Sequence, residues 1–222
     1  MRVRAQLGRG EDQERVLHVH SSADLASRLA AASWWNTSRR KRLRLHLAAG
    51  IYHQQVHLLD GIDLSGDGEI VWDGHGDTIL THGADSTLSG ITVRHTGPAG
   101  YAIHADAPCR RSVLRLRGIH AESDSSPALG AGLMDGQRVE AHGSTFTSQA
   151  FAAIHLHPWL NQAEPIAAHF TDCHASSPNV GVLWNQLDSG QPDELHWTGR
   201  IDAPNPLETT TAPPVLAFHA HV

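Results

Sequence analysis

Residues Leu43 to Gly68 read LRLHLAAGIYHQQVHLLDGIDLSGDG. Three short runs of alternating apolar residues end at Gly50, at Gly61 and at the Gly66/Gly68 pair. Alternation over a few residues, closed by Gly or Asp-Gly, marks a β-strand followed by a tight turn. The chain repeats that unit with variations almost to its C-terminus.

Two patterns alternate after Gly68. The first is a small residue followed by an aliphatic one: Thr78-Ile79-Leu80-Thr81-His82, Ala102-Ile103-His104-Ala105-Asp106, Gly132-Leu133-Met134-Asp135-Gly136, Ala153-Ile154-His155-Leu156-His157 and Gly181-Val182-Leu183-Trp184-Asn185. The second is a strand, a bend and a strand, as in TLSGITVRH at 87–95 and VLRLRGIHAES at 113–123. Its bend residues Gly90, Gly118, Gly143, Asp172 and Gly199 are spaced 28, 25, 29 and 27 apart. A period of 20–30 residues with three strands per turn predicts a β-solenoid. From Pro98 to Pro204 most prolines fall between the patterned strands or at their ends. That placement suits residues that cannot donate to a sheet ladder. A β-sandwich leaves the aligned bends unexplained.

Upstream, Val16 to His20 alternates as a first strand. Ser21-Ser22 offers an N-cap, and Leu25, Leu29 and Ala32 follow at helical spacing to about Trp35. This helix is expected to cap the open end of the stack, with Trp34 and Trp35 packed on the first rung. Downstream, APNPLETTTAPP reads as a linker and VLAFHAHV as one last strand. The expected division is 1–42 for the cap and basic segment, 43–204 for the solenoid, and 205–222 for linker and closing strand.

Charge is asymmetric. Residues 1–44 carry ten Lys+Arg against four Asp+Glu, and the remainder seven against nineteen. The run Arg39-Arg40-Lys41-Arg42-x-Arg44 reads as a solvated connection or as a patch for phosphate or an acidic partner surface, and its lack of interleaved aromatics argues against nucleic-acid binding. Cys109 and Cys173 lie about two rungs apart, roughly 10 Å at the strand spacing, beyond the reach of a disulfide. Two free, buried thiols are expected. No apolar run approaches a membrane span, and the N-terminus lacks an apolar signal core, so synthesis in the cytoplasm without Sec export is expected.

The run AAGIYHQQVHLLDGIDLSGDG, the later DGHGDT and the L-x-G-I strand–bend pairs resemble the right-handed parallel β-helix of the pectate lyase-like superfamily, including the β-helical domains of phage tailspikes. The resemblance spans about residues 16–204 and implies an all-β, single-stranded right-handed parallel β-helix with a short N-terminal helix cap. It specifies fold better than activity. Polygalacturonase-like hydrolases carry Asn-x-Asp, Asp-Asp, Gly-His-Gly and Arg-x-Lys in order. This chain has Gly74-His75-Gly76, in a position that also suits a shape-giving turn, but no Asp-Asp pair, no Asn-Thr-Asp and no Arg-Ile-Lys.

With the aliphatic residues of the first pattern inward, Leu80, His104, Met134, His155 and Leu183 form one outward column. His82, Asp106, Gly136, His157 and Asn185 form the next. Three readings compete for this face. It is a packing surface between solenoids anchored on Leu80, Met134 and Leu183; or a glycan-binding groove of His82, His104, Asp106, His155, His157 and Trp159, with Trp184 or Trp197 as further stacking candidates; or a catalytic groove with Asp106 and Asp135 as acid and base. Alternation turns Trp184 inward, toward the core. His155-x-His157, His18-x-His20 and His219-x-His221 are chelate-like pairs without an evident third ligand, so no metal site and no cofactor are assigned. The expected function is a non-catalytic, structural or carbohydrate-binding virion component, tail-associated, tailspike-like or capsid-decorating. Its expected partners are copies of itself in a homotrimer, other virion proteins or a polysaccharide. The alternative is a lyase or glycoside hydrolase acting on an acidic or envelope polysaccharide.

Overall fold

The computed structural model describes residues 13–32, 41–81, 85–106, 111–157, 164–185, 194–210 and 215–221. They form a parallel β-solenoid of about six turns with a short helix near the N-terminus. Strand β1 (Gln13–Val19) and helix α1 (Ser22–Ala32) precede the first full turn, β2 (Lys41–Leu47), β3 (Gly50–Tyr52) and β4 (Val56–Leu58). The next turns are β5 (Ile62–Gly66), β6 (Ile70–Gly74) and β7 (Ile79–Thr81), then β8 (Ser86–Ser89), β9 (Thr92–His95) and β10 (Ile103–Asp106). They continue through β11 (Val113–Arg117), β12 (His120–Ser123) and β13 (Leu129–Gly132), then β14 (Arg138–His142), β15 (Thr145–Ser148) and β16 (Ala152–Leu156). The last elements are β17 (Ala167–Ser176), β18 (Val180–Trp184), β19 (Glu194–Asp202), β20 (Asn205–Thr209) and β21 (Val215–His221).

The strands sort into three parallel faces. The first stacks β1, β2, β5, β8, β11 and β14, then the leading parts of β17 and β19. The second stacks β3, β6, β9, β12 and β15, then the trailing parts of the same two long strands. Because β17 and β19 run unbroken around the corner, these two faces share one hydrogen-bonded sheet of fourteen strands. The third face is a separate sheet of seven: β4, β7, β10, β13, β16, β18 and β20.

The corner between the first two faces is made by the repeated bends. Gly90, Gly118, Gly143, Asp172 and Gly199 all have positive φ, at 64°, 57°, 55°, 52° and 124°. The bends also stack. Gly90 N–H donates to the Arg117 carbonyl at 3.0 Å, Gly118 to His142 at 3.0 Å and Gly143 to Thr171 at 2.9 Å. One left-handed residue per turn thus sharpens the corner and stays within the ladder. Asp172 takes the place of Gly because Asp is among the few residues that tolerate this conformation.

Alternation sends one column of each face inward. Leu45, Leu64, Leu88, Leu116, Ala141, Phe170 and Trp197 stack from the first face, all buried. Tyr52, Trp72, Val93, Ala121, Phe146, Ala175 and Ile201 stack from the second. Tyr52 lies on Trp72 with ring centroids 5.5 Å apart, and Phe170 bridges Phe146 at 6.0 Å and Trp197 at 5.0 Å. The first column runs through four leucines before Ala141 makes room ahead of Phe170 and Trp197, and in the second Ala121 and Ala175 flank Phe146. Each fully buried aliphatic side chain contributes about 1.5–3 kcal/mol.

Helix α1 covers the N-terminal end. Ser21 Oγ accepts the Asp24 N–H at 3.2 Å, and Asp24 Oδ2 accepts the His20 N–H at 3.0 Å, which satisfies free donors of the first turn. Leu25 enters the core, and the Gln54 amide donates to the Ser22 carbonyl. Trp34 and Trp35 lie outside the described residues. In the basic run, Arg42 grips Asp63 of the next turn, with Nε to Oδ2 at 2.8 Å, and Arg44 reaches Glu14 of β1 at 2.6 Å. Arg42 is thus pinned between neighbouring turns, whereas the Arg44 pair is exposed to solvent; Arg39 and Arg40 lie outside the described residues.

The stretch from Asn205, read above as a linker, carries β20, so the third face extends past the expected boundary. Val180 pairs with Asn205 and Val182 with Leu207, leaving Pro206 between two bonded positions of an outermost strand, where a missing N–H is tolerated. Strand β21 then adds to β19. Cys173 is a free, buried thiol, and burial pushes its pKa up to about 11; Cys109 lies outside the described residues. Among the described residues no helix is long and apolar enough to cross a membrane.

Candidate functional site

The outward column of the third face runs His57, Leu80, His104, Gly130, His155, Leu183 and Glu208, each opposite its neighbour in register. Gly130 leaves a notch between two histidines. Tyr101 fills it. Its backbone stands two residues ahead of β10, yet its ring reaches across the next turn to the turn beyond. A Cβ built on Gly130 would come within 2.6 Å of the ring. The phenol oxygen lies 3.1 Å from His155 Nδ1, close enough to donate its proton there.

The rings form a cluster. Tyr101 stacks on His104, centroids 4.6 Å apart and planes 28° from parallel. His157 faces Tyr101 at 6.3 Å and 23°, and stands 4.8 Å from His155 and 5.7 Å from His104. Asp77 anchors the near side. Its Oδ1 accepts the Tyr101 N–H at 3.0 Å, and its Oδ2 lies 3.3 Å from His104 Nδ1. All of these side chains are half-buried.

Protonation follows from this setting. Burial, then the neighbouring His157 and His104, lowers the His155 pKa from 6.5 to about 4. His155 is therefore neutral near pH 7, and the phenol bond assigns its Nδ1 as acceptor and its Nε2 as the protonated nitrogen. That Nε2 is buried with no hydrogen-bond partner among the described residues.

The expected columns are partly re-registered. Leu80, His104, His155 and Leu183 share the outward column. Met134 does not: β13 begins at Leu129, and Gly130 takes the expected Met134 position. Likewise Gly132, not Gly136, stands opposite Asp106. Met134 opens a turn to Gln137, with the Gln137 N–H on the Met134 carbonyl at 2.9 Å. Asp135 and Gly136 have φ of 33° and 73° there. Asp135 is thus a buried turn residue at the corner after the third face, not a member of a column beside Asp106.

Asp106 has its backbone in β10, opposite Gly132; its side chain, with His82 and Trp159, lies outside what the structure describes. Trp184 and Trp197 are both fully buried core residues, so neither is a sugar platform. Asn185 follows β18 directly, and its N–H donates to the Leu156 carbonyl at 2.8 Å. His75 is exposed beside Gly76, whose φ is 70°, as a turn of this shape requires. Among the described residues no three His, Cys, Asp or Glu side chains converge as metal ligands.

Pattern reading missed Tyr101 and Asp77. The one available signal was Gly130, a missing side chain in a column of side chains. The first face also holds an open groove of about 470 Å³, lined by Arg115, Arg117, Glu140, His142, His169 and Thr171. Cross-turn contacts occupy much of it: Arg115 pairs with Glu140 at 3.4 Å, and His142 and His169 stand 3.8 Å and 3.7 Å from the Asp172 and Glu194 carboxylates. These pairs are exposed and individually weak.

The chain matches no protein-family model, no curated protein and no solved structure.

Proposed function

We propose that this chain is a carbohydrate-binding β-helical module of the pectate lyase-like type, serving as a structural component of a virion tail or capsid surface rather than as an enzyme. One observation carries the binding reading. Tyr101 is packed against Gly130, stacked on His104 and bonded to His155, inside a group of imidazoles on the outer side of the solenoid. Fixed planar rings stack on the C–H faces of sugars, while a phenol oxygen at their edge bonds hydroxyls. Such a surface binds with little ordering cost because its rings are already held in place. The acid–base pair suggested by the sequence gains no support here, since Asp135 is spent on a buried turn.

A second reading rests on Leu80 and Leu183, which are half-buried and flank the ring cluster in the same column. They would anchor the third face against other copies in a homotrimer.

The test is a glycan array probed with the wild-type protein and Tyr101→Ala, with solution mass measured in parallel by light scattering. Glycan binding that disappears in the variant supports the proposal. A trimer that dissociates on Leu80→Asp/Leu183→Asp, without glycan binding, supports the second reading instead.

A further inference from the structure

We infer that the ligand of the third face is a non-acidic glycan, one carrying no carboxylate, sulfate or phosphate. This rests on the carbohydrate-binding reading and adds the ligand's chemical class.

The argument is the placement of positive charge. No strand of the third face contains Lys or Arg. After Arg44 the described arginines go elsewhere. Arg115, Arg117 and Arg138 belong to strands of the first face, and Arg94 and Arg200 to the second. The connections that leave the third face carry only Arg110 and Arg111 in sequence. Arg111 is held in an ion pair by Glu164.

Negative charge is present instead. Asp77 lies against Tyr101 and His104, and Glu208 closes the same column. The imidazole in the middle of the cluster, His155, is neutral near pH 7. An acidic sugar placed on Tyr101 would meet the Asp77 carboxylate and the neutral His155 ring. A guanidinium is the usual partner for a carboxylate or sulfate, and this face supplies none among its described residues. A sugar of hydroxyls and N-acetyl groups needs only what is there: ring faces, a phenol and the Asp77 carboxylate as hydrogen-bond acceptor.

The test is calorimetric titration of the full chain with two sets of probes. One set is neutral: oligomers of glucose, galactose and N-acetylglucosamine. The other is acidic: oligogalacturonate, alginate oligomers and a heparin hexasaccharide. Tyr101→Ala and His157→Ala are run beside the wild type, with melting curves to verify folding. The expected result is binding within the neutral set, weakened about tenfold or more in Tyr101→Ala, a change of about 1.4 kcal/mol. That binding changes less than about twofold between low and high salt, since no ion pair is involved. Acidic-glycan binding that falls with salt and is lost in Tyr101→Ala or His157→Ala overturns the inference and leaves the carbohydrate reading standing. If no probe binds in a way that depends on either residue, the carbohydrate reading itself falls. The salt dependence of the wild type decides between the classes even where a variant fails to fold.

Discussion

The Tyr101 ring packs against Gly130, so close that a Cβ at Gly130 would stand 2.6 Å from it. The glycine is not needed for its backbone, because it is not among the residues with positive φ. It is needed for space. Gly130→Ala is expected to destabilise by about 1–3 kcal/mol, the usual range for overpacking a filled site. In a Tyr101→Ala background the same change should cost almost nothing. A double-mutant cycle by chemical denaturation measures the coupling, and additive effects would contradict the contact.

Asp63 joins three neighbouring turns. It accepts Arg42 Nε of the preceding turn at 2.8 Å and the Thr87 N–H of the following turn at 2.7 Å, and it is 6 % exposed. Asp63→Ala strands a guanidinium and a backbone donor, so a loss of about 2–3 kcal/mol is expected. Arg44→Gln breaks only an exposed pair with Glu14, and under about 1 kcal/mol is expected. Equal losses in urea melts would mean that the two ends of the basic run play the same part.

The bends predict an ordered series. A Cβ at Gly118 or Gly143 would meet nothing within 4 Å, so any penalty there comes from φ alone. Gly118→Ala and Gly143→Ala should each cost about 1–2 kcal/mol. Asp172→Gly should be neutral or stabilise by up to about 1 kcal/mol, since it removes the same penalty. Thermal melts that rank Asp172→Gly as the worst of the three would refute the shared-bend account.

The ring cluster predicts acid sensitivity with a defined window. His155 takes up a proton near pH 6.5 when unfolded and only near pH 4 when folded. Between those values the unfolded state binds more protons, so stability falls as pH falls. Below about pH 4 both states are protonated and this group adds no further loss. The melting temperature of His155→Gln should therefore decline less steeply than that of the wild type from pH 6.5 to 4, and parallel curves would contradict the assignment.

The solenoid was legible because its signals are local. Alternation and the Gly or Asp bends depend on residues a few positions apart, and the bends have the left-handed backbone that their composition implies. Register was harder. Both Ala128-Leu129 and Gly132-Leu133 offer a small residue before an aliphatic one. The structure takes the earlier pair, whose backbone bonds continue the stack from Ile103 to Ala153. Asp135-Gly136, a turn-forming dipeptide, marked the same frame. Strand β20 was hidden because Pro206 reads as loop, though an outermost strand accepts it. Tyr101 left only one trace, the missing side chain at Gly130. Its ring acts two turns from its own backbone, and no periodicity within a turn encodes that reach.

The most direct test of the central claim is a two-dimensional NMR titration of the histidine ring resonances with a neutral glycan that binds. Binding on the third face predicts shifts at His104, His155 and His157, with His46, His120 and His174 on the other faces unmoved. Shifts confined to those other histidines, or none at any of them under saturating glycan, would contradict it.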